Sequence, residues 1–309
     1  MGLIVKGKWV DKWYDTKSSG GRFVRQESTF RSKIGSTLYP AEPNRYHLFI
    51  SYACPWAHRT HIFCHLKDLL DIVTISVVDP IMLENGWELQ EPKGPVDHVE
   101  YLYQVYLKAN PNYEGRVTVP VLWDKISQTI VNNESSEIIR MLNTEFNHIT
   151  NNFVDFYPFE LKSDIDKMNQ FVYDSINNGV YKVGFATDQH IYNSELTKLF
   201  AALDTLDEHL GRHRFLVGDR LTEADWRLFV TLVRFDPVYV GHFKCNLKRI
   251  FDYPNLIDYV RYLYQYKTIS ETVYMDHIKT HYYASHPSLN PTGIVPGGPN
   301  IDYTAPYNR

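Results

Sequence analysis

The sequence predicts a small α/β domain followed by an all-helical domain. A strand at residues 47–52, an amphipathic helix and a β-branched run at 72–78 follow one another. Together they occupy about 32 residues, which is the span of one right-handed βαβ unit. From about residue 163 onward, apolar residues recur instead with the period of an α-helix.

The first half of the α/β domain can be assigned element by element. Residues 47–52 (HLFISY) predict a strand, and Pro55 stands where the first turn of a helix tolerates proline. Residues 72–78 (IVTISVV) are a β-branched run typical of a buried strand. The helix between them is indicated by an apolar stripe of Ala57, Ile62, Phe63, Leu66, Leu69 and Leu70.

The second half supplies two strands and a helix. Residues 119–123 and 129–131 predict short strands, which 124–127 join as a hairpin turn. Acidic residues at 134–137 suit the N-terminus of a helix dipole. The complete order, strand–helix–strand then strand–strand–helix, is the thioredoxin-like order.

These elements give the expected domain boundaries. We expect an N-terminal arm at 1–43, the thioredoxin-like domain at 44–150 with a long insertion at 79–115, and a helical domain at 151–309. Insertions of this length are uncommon and often functional. The tail from residue 284 is rich in proline and glycine and predicts an extended strap. Helices are predicted at 163–177, 189–210, 222–234, 254–266 and 270–281.

Composition excludes several classes of partner. The 309 residues carry a net charge of −4, and Lys and Arg are scattered, so we expect no nucleic-acid partner. No apolar run approaches the ~20 residues of a membrane span, so we expect no membrane partner. Three cysteines are too few for a disulfide framework, which favours a reducing compartment and a cytoplasmic location.

Cys54 is the candidate nucleophile. It falls near the start of the predicted helix, where free N–H groups and the helix dipole stabilise a thiolate. His58 and Arg59, one turn on, could add positive charge. Because position 57 is alanine, the site lacks a resolving cysteine, and a small thiol must complete the cycle. The alternative is that Cys54 is an inert core residue.

The other candidate ligands and thiols have simpler interpretations. Cys64 is expected to be a core residue, and Cys245 is expected to be either structural or merely exposed. His61 and His65 have the i, i+4 spacing of a metal-binding pair, but no third ligand is placed to complete a site. We therefore expect no metal.

Six segments of the sequence carry a family resemblance: residues 54–60 (CPWAHRT), 115–124 (GRVTVPVLWD), 131–137 (VNNESSE), 177–186 (NNGVYKVGFA), 232–239 (LVRFDPVY) and 290–294 (NPTGI). They resemble the glutathionyl-hydroquinone reductases, the xi class of glutathione transferases. The resemblance covers nearly the whole chain, and the cysteine motif alone is shared with omega-class relatives.

The resemblance implies a helical glutathione-transferase domain after the thioredoxin-like one, and a glutathione site. A cis peptide before Pro120 would present the Val119 backbone to the cysteine moiety of glutathione. Glu134 would meet the γ-glutamyl ammonium, and Ser135 with its helix N-terminus the carboxylate. Further glutathione contacts are implied for Trp87 and Arg116. The alternative role of Trp87 is an aromatic residue that anchors a loop, and that of Arg116 is a solvated surface arginine.

The resemblance also implies a site for the quinol ring, formed by Tyr181, His281 and Tyr282. Phenolic hydroxyls donate hydrogen bonds to ring oxygens, and aromatic rings stack on one another. The two tyrosines would either protonate the leaving ring carbon or stabilise its keto tautomer. A homodimer is expected on the same ground.

The implied reaction is reduction of S-glutathionyl-hydroquinones, with glutathione as co-substrate and a mixed disulfide on Cys54 as intermediate. One alternative is an omega-like thioltransferase or dehydroascorbate reductase. Another is a non-catalytic scaffold, because a fold does not fix a function.

Overall fold

The computed structural model describes residues 2–309, which form two compact units. The first contains the chain up to Trp13, Gln26–Asp155 and Tyr274–Ser285. The second contains Tyr14–Arg25, Phe156–Val273 and His286–Arg309. This division differs from the expected boundaries in two respects. The arm 1–43 is shared between the units, and the last helix joins the first unit.

A four-stranded mixed sheet forms the centre of the first unit, in the order β4-β3-β6-β7. Its strands are β3 (Tyr46–Ile50), β4 (Thr74–Val77), β6 (Val121–Asp124) and β7 (Thr129–Asn132). Strand β3 runs parallel to β4 and antiparallel to β6. All five residues of β3 are buried, as expected of a central strand covered on both faces. This arrangement confirms the predicted thioredoxin-like sheet.

Helices α1 (Pro55–Leu66) and α3 (Ser135–Thr144) pack against each other in the first unit. Pro55 occupies the first turn of α1, as predicted. Helix α1 is buried along most of its length, which fits a helix enclosed by a domain core. The unit also contains α2 (Leu102–Ala109), α4 (Asn147–Thr150) and α10 (Met275–Ser285).

The insertion 79–115 is more ordered than its prolines and glycines suggest. It contains helix α2 and ends in strand β5 (Gly115–Arg116). Strand β5 pairs with β1 (Leu3–Val5), which pairs in turn with β2 (Lys8–Val10). The Trp9 indole stacks on Tyr103 of α2 and donates to the Glu84 carbonyl at 2.8 Å. The start of the chain is therefore packed on the insertion.

A second part of the arm runs along the outer edge of β7 and pairs with it. The Ser32 amide donates to the Val131 carbonyl at 3.0 Å, and the Asn133 amide donates to the Phe30 carbonyl at 3.1 Å. Arg31 forms a bridge with Asn132 between these two contacts. The arm thus covers a sheet edge directly before the start of α3.

The second unit is all-helical, as predicted. Its α-helices are α5 (Lys162–Val172), α6 (Gly179–Gly184), α7 (Gln189–Arg212), α8 (Glu223–Arg234) and α9 (Pro254–Tyr264). Helices α5 and α8 continue as π-helical segments at Tyr173–Asn177 and Phe235–Tyr239. Within residues 2–309, no helix combines the length and apolarity needed to cross a membrane.

One predicted helix begins later than its pattern indicates. Residues 270–281 were expected to form one helix, but Ile269–Thr272 is a short 3₁₀ turn and α10 begins at Met275. The β-branched Val273 between them has extended dihedral angles, which interrupt the helix. Because α10 continues to Ser285, the irregular tail begins at His286 rather than at 284.

Candidate active site

Cys54 is the N-cap residue of α1. Its backbone is extended (φ −75°, ψ 121°), and its carbonyl accepts the first helical hydrogen bond from the His58 amide at 2.9 Å. The side chain is half-buried, and Sγ lies 3.6 Å from the Val119 carbonyl oxygen. The thiol therefore lies at a helix N-terminus, beside the backbone of a second predicted site residue.

The other two thiols are enclosed. Cys64 is fully buried in α1, and burial raises the pKa of its thiol to about 12. Burial also raises the pKa of the Cys245 thiol, which lies in the core of the second unit. Both thiols stay protonated at neutral pH, which fits the predicted core role of Cys64 and the structural alternative for Cys245.

The Val119–Pro120 peptide is cis, as the resemblance implied. Both residues are buried and directly precede strand β6. The preceding residue, Thr118, is held through its backbone by the Tyr106 hydroxyl, which donates to its carbonyl at 2.8 Å. The turn therefore has a fixed position beside Cys54.

Glu134 and Ser135 form the start of α3. The Glu134 carboxylate caps the helix, since it accepts from the Ser136 amide at 3.0 Å and from the Ser136 hydroxyl at 2.8 Å. Its other oxygen accepts from the Ser28 hydroxyl of the arm at 3.3 Å. Ser135 is buried, and its hydroxyl accepts from the Arg59 guanidinium at 3.4 Å.

Arg59 joins the starts of α1 and α3. The side chain is 1% exposed, and its guanidinium lies 4.5 Å from the centre of the Trp56 ring. From α1 it reaches Ser135, the first residue of α3. His58, the other basic residue predicted near Cys54, is also buried.

Trp87 and His281 lie face to face, with ring centroids 4.8 Å apart and an interplanar angle of 22°. His281 Nδ1 donates to the Pro80 carbonyl at 2.9 Å, because a carbonyl oxygen can only accept. Tyr282 meets the His281 ring edge-on at 5.3 Å and is 2% exposed. A predicted glutathione residue thus touches a predicted quinol residue, and the insertion holds both.

Arg116 is engaged with the arm. Its guanidinium donates to the carbonyl of Trp13 at 2.9 Å and to that of Lys12. Its own carbonyl accepts from the Tyr113 hydroxyl at 2.7 Å. With these contacts, the Arg116 guanidinium is not the solvated surface group that was the alternative interpretation.

Tyr181 lies in the second unit, on α6. Its ring stacks on Phe23 at 6.1 Å, and the Arg25 guanidinium lies 5.0 Å from its centre. Phe243 meets the same ring edge-on at 5.4 Å. A side chain at Gly184 would place Cβ 2.3 Å from Phe243, so glycine there permits this close packing.

His61 and His65, the histidine pair of the predicted helix, both lie on α1. Burial, with the nearby His65, lowers the pKa of His61 to about 3, so the His61 imidazole is neutral at physiological pH. Its ring stands edge-on to His65 at 4.9 Å. Residues 2–309 contain no group of three His, Cys, Asp or Glu side chains placed to hold a metal ion.

Sequence reasoning missed two residues that organise this site, Tyr106 and Asn133. Tyr106 is fully buried, and its hydroxyl accepts from the Asn133 amide side chain at 3.2 Å. Leu102, Val105 and Tyr106, all buried, have the i, i+3, i+4 spacing of an amphipathic helix. That spacing was the available signal for α2, but it gives no indication of the hydroxyl's partners.

Comparison with known families gives one consistent result. The glutathione S-transferase N-terminal domain family matches residues 53–145, and the glutathione S-transferase C-terminal domain family matches residues 189–261.

Curated relatives match over almost their full length. The chain is 51% identical to the glutathionyl-hydroquinone reductase YqjG of Escherichia coli, covering 100% of this chain and 98% of the relative. It is 53% identical to the glutathionyl-hydroquinone reductase PcpF of Sphingobium chlorophenolicum, covering 97% and 96%.

Solved structures agree in fold. The glutathione-bound structure of YqjG matches with a TM-score of 0.83 and 54% identity, over 86% of this chain and 89% of that one. The xi-class glutathione transferase of Natrialba magadii matches with a TM-score of 0.94 and 46% identity, over 100% and 97%.

Proposed function

Because the chain belongs to the glutathionyl-hydroquinone reductases, the xi class of glutathione transferases, we propose that it reduces S-glutathionyl-hydroquinones with glutathione as co-substrate. The observation that carries the proposal is the position of Cys54. It is the one thiol of three that is not buried, it caps a helix N-terminus, and position 57 offers no second thiol.

In the first step, the Cys54 thiolate attacks the sulfur that joins glutathione to the ring. A sulfur–sulfur bond forms and the sulfur–carbon bond breaks. The electron pair of that bond stays on the ring carbon, which takes up a proton. The hydroquinone leaves reduced, and Cys54 remains as a mixed disulfide with glutathione.

In the second step, the thiolate of a second glutathione attacks the glutathione sulfur of the mixed disulfide. Oxidised glutathione leaves, and the Cys54 thiolate is restored. Because Ala57 cannot attack in place of this second glutathione, the cycle depends on free glutathione.

The glutathione site proposed here uses the residues around Cys54. The Val119 carbonyl, 3.6 Å from Sγ, supports pairing of this backbone with the cysteine moiety of glutathione. Glu134 and Ser135 at the start of α3 suit the γ-glutamyl group, since a helix N-terminus attracts a carboxylate. Trp87 and Arg116 are proposed as further contacts.

Tyr181, His281 and Tyr282 are proposed to bind the quinol ring. Contact between His281 and Trp87 supports a ring site that adjoins the glutathione site in the first unit. A phenolic hydroxyl can donate to a ring oxygen or supply the proton that the ring carbon takes up.

An omega-like thioltransferase or dehydroascorbate reductase would use the same Cys54 on another electrophile. Turnover of glutathionyl-hydroquinone and of dehydroascorbate, measured side by side on one preparation, separates the two functions. Faster turnover of glutathionyl-hydroquinone is expected. Turnover of dehydroascorbate alone would replace the proposal with its rival, and turnover of neither would favour a scaffold.

We also propose a homodimer in the cytoplasm. Three free cysteines fit a reducing compartment, and the family resemblance supports the dimer. Light scattering coupled to gel filtration measures the mass directly, and a monomer at micromolar concentration would contradict the dimer.

A further inference from the structure

The Tyr106 hydroxyl lies between the two backbone segments that flank the proposed glutathione site. Tyr106 is fully buried on α2, inside the insertion 79–115. Its hydroxyl donates to the Thr118 carbonyl at 2.8 Å and accepts from the Thr118 amide at 3.3 Å. It also accepts from Asn133 Nδ2 at 3.2 Å. These three contacts use the one donor and the two acceptor positions of the Tyr106 hydroxyl.

Each partner stands one residue before a glutathione-binding segment. Thr118 precedes the cis Val119–Pro120 turn, and Asn133 precedes Glu134, the N-cap of α3. The hydroxyl therefore joins the turn to the start of the helix from within the core.

Asn133 is also held from its other side by the arm. The Asn133 backbone amide donates to the Phe30 carbonyl at 3.1 Å, and the side-chain Oδ1 accepts from the Phe30 backbone amide at 3.1 Å. The position of Asn133 is fixed by the arm on one side and by the insertion on the other.

We propose that the Tyr106 hydroxyl is a positioning group for glutathione, which sets the separation between the cis turn and the start of α3. The inference rests on the proposed glutathione site at these two segments. It gives the insertion a role, because α2 carries the hydroxyl into the core. Tyr106 acts through Thr118 and Asn133 and does not itself contact the reacting sulfur atoms in this role.

The test is Tyr106→Phe, which keeps the ring and deletes only the hydroxyl. Glutathione affinity, measured by calorimetry, should weaken about fivefold to tenfold, which is the effect of losing one buried hydrogen-bond network. The rate of Cys54 alkylation by iodoacetamide should change by less than about twofold, because the N-cap position of Cys54 is untouched. Unchanged glutathione affinity in a folded Tyr106→Phe protein would overturn the proposal.

Tyr46→Phe is the matched control. Tyr46 is a fully buried tyrosine of the same unit, and its hydroxyl donates to the Pro40 carbonyl at 2.6 Å, outside the site. This variant should lose thermal stability but keep its glutathione affinity. An equal loss of affinity in Tyr46→Phe would mean that destabilisation alone explains the effect, and would also overturn the proposal.

Asn133→Ala keeps the proposal testable if Tyr106→Phe does not fold. It should weaken glutathione binding as well, and the double variant should lose less than the sum of the two single losses. Full affinity in Asn133→Ala, or strictly additive losses, would contradict a shared network. Wild-type protein that binds glutathione but leaves glutathionyl-hydroquinone intact would refute the proposed function alone.

Discussion

Alkylation of the native protein should separate its three thiols. Only the thiolate reacts with iodoacetamide, so the reaction rate follows ionisation and exposure. Cys54 is half-buried at a helix N-terminus, whereas Cys64 and Cys245 are fully buried. We predict that a small excess of reagent modifies Cys54 alone.

The size of the selectivity follows from the pKa of Cys64. With a pKa of about 12, this thiol is ionised to about one part in thirty thousand near pH 7.5. An ordinary thiol of pKa about 8.5 is about one-tenth ionised there. Ionisation alone then favours an ordinary thiol over Cys64 by about 3,000-fold, and burial of Cys64 adds to this preference.

The pH dependence tests the helix N-terminus. Its partial positive charge favours the charged form of Cys54, so the pKa should fall below about 8.5 and reactivity should persist at lower pH. The assay is the alkylation rate against pH in the Cys64→Ser/Cys245→Ser protein, with peptide mapping of the wild type. A midpoint at or above the free-thiol value, or comparable labelling of Cys64, would refute the reasoning.

Three further predictions concern binding, chemistry and stability. Glu134→Ala should weaken glutathione binding by about 1–3 kcal/mol, measured by calorimetry, because the ligand ammonium loses its partner; unchanged affinity would place the γ-glutamyl site elsewhere. Tyr181→Phe and Tyr282→Phe should slow glutathionyl-hydroquinone turnover at least about tenfold yet spare a simple mixed disulfide, whereas equal loss on both substrates would indicate a structural role. Asp124→Ala should lower the free energy of unfolding in urea by about 1–3 kcal/mol, because it removes two charged hydrogen bonds to the half-buried Arg45 guanidinium. Burial opposes ionisation of Asp124, but hydrogen bonds led by that from Arg45 outweigh it and lower its pKa to about 2, so the contribution of the ion pair is present above about pH 4 and is lost as pH falls through 2. A difference between the two proteins that does not shrink as the pH falls through 2 would contradict the ion pair.

Local patterns predicted the central sheet and most helices because apolar and polar residues alternate in those elements with the period of a strand or a helix. The β-branched run at 72–78 contains strand β4, and Pro55 marks the start of α1. The insertion was harder to predict because α2 is only eight residues long and lies between proline- and glycine-rich stretches. Its stability comes from tertiary packing, which a short apolar pattern does not reveal.

Two backbone features of the candidate site were confirmed. The local pattern placed Cys54 at the start of α1, and the family resemblance implied the cis bond before Pro120. Arg59 was predicted as a charge near the thiol, but its contact with Ser135 joins residues 76 positions apart. Sequence spacing cannot give such contacts, since they depend on how α1 and α3 pack.

A single-turnover experiment tests the central claim most directly. Reduced protein is mixed with glutathionyl-hydroquinone in the absence of free glutathione, and its intact mass and the released quinol are measured. We predict one glutathionyl group on Cys54 and one equivalent of hydroquinone, with no further turnover until glutathione is added. Release of hydroquinone by a Cys54→Ser protein, or a wild-type protein that stays unmodified while hydroquinone forms, would contradict the account.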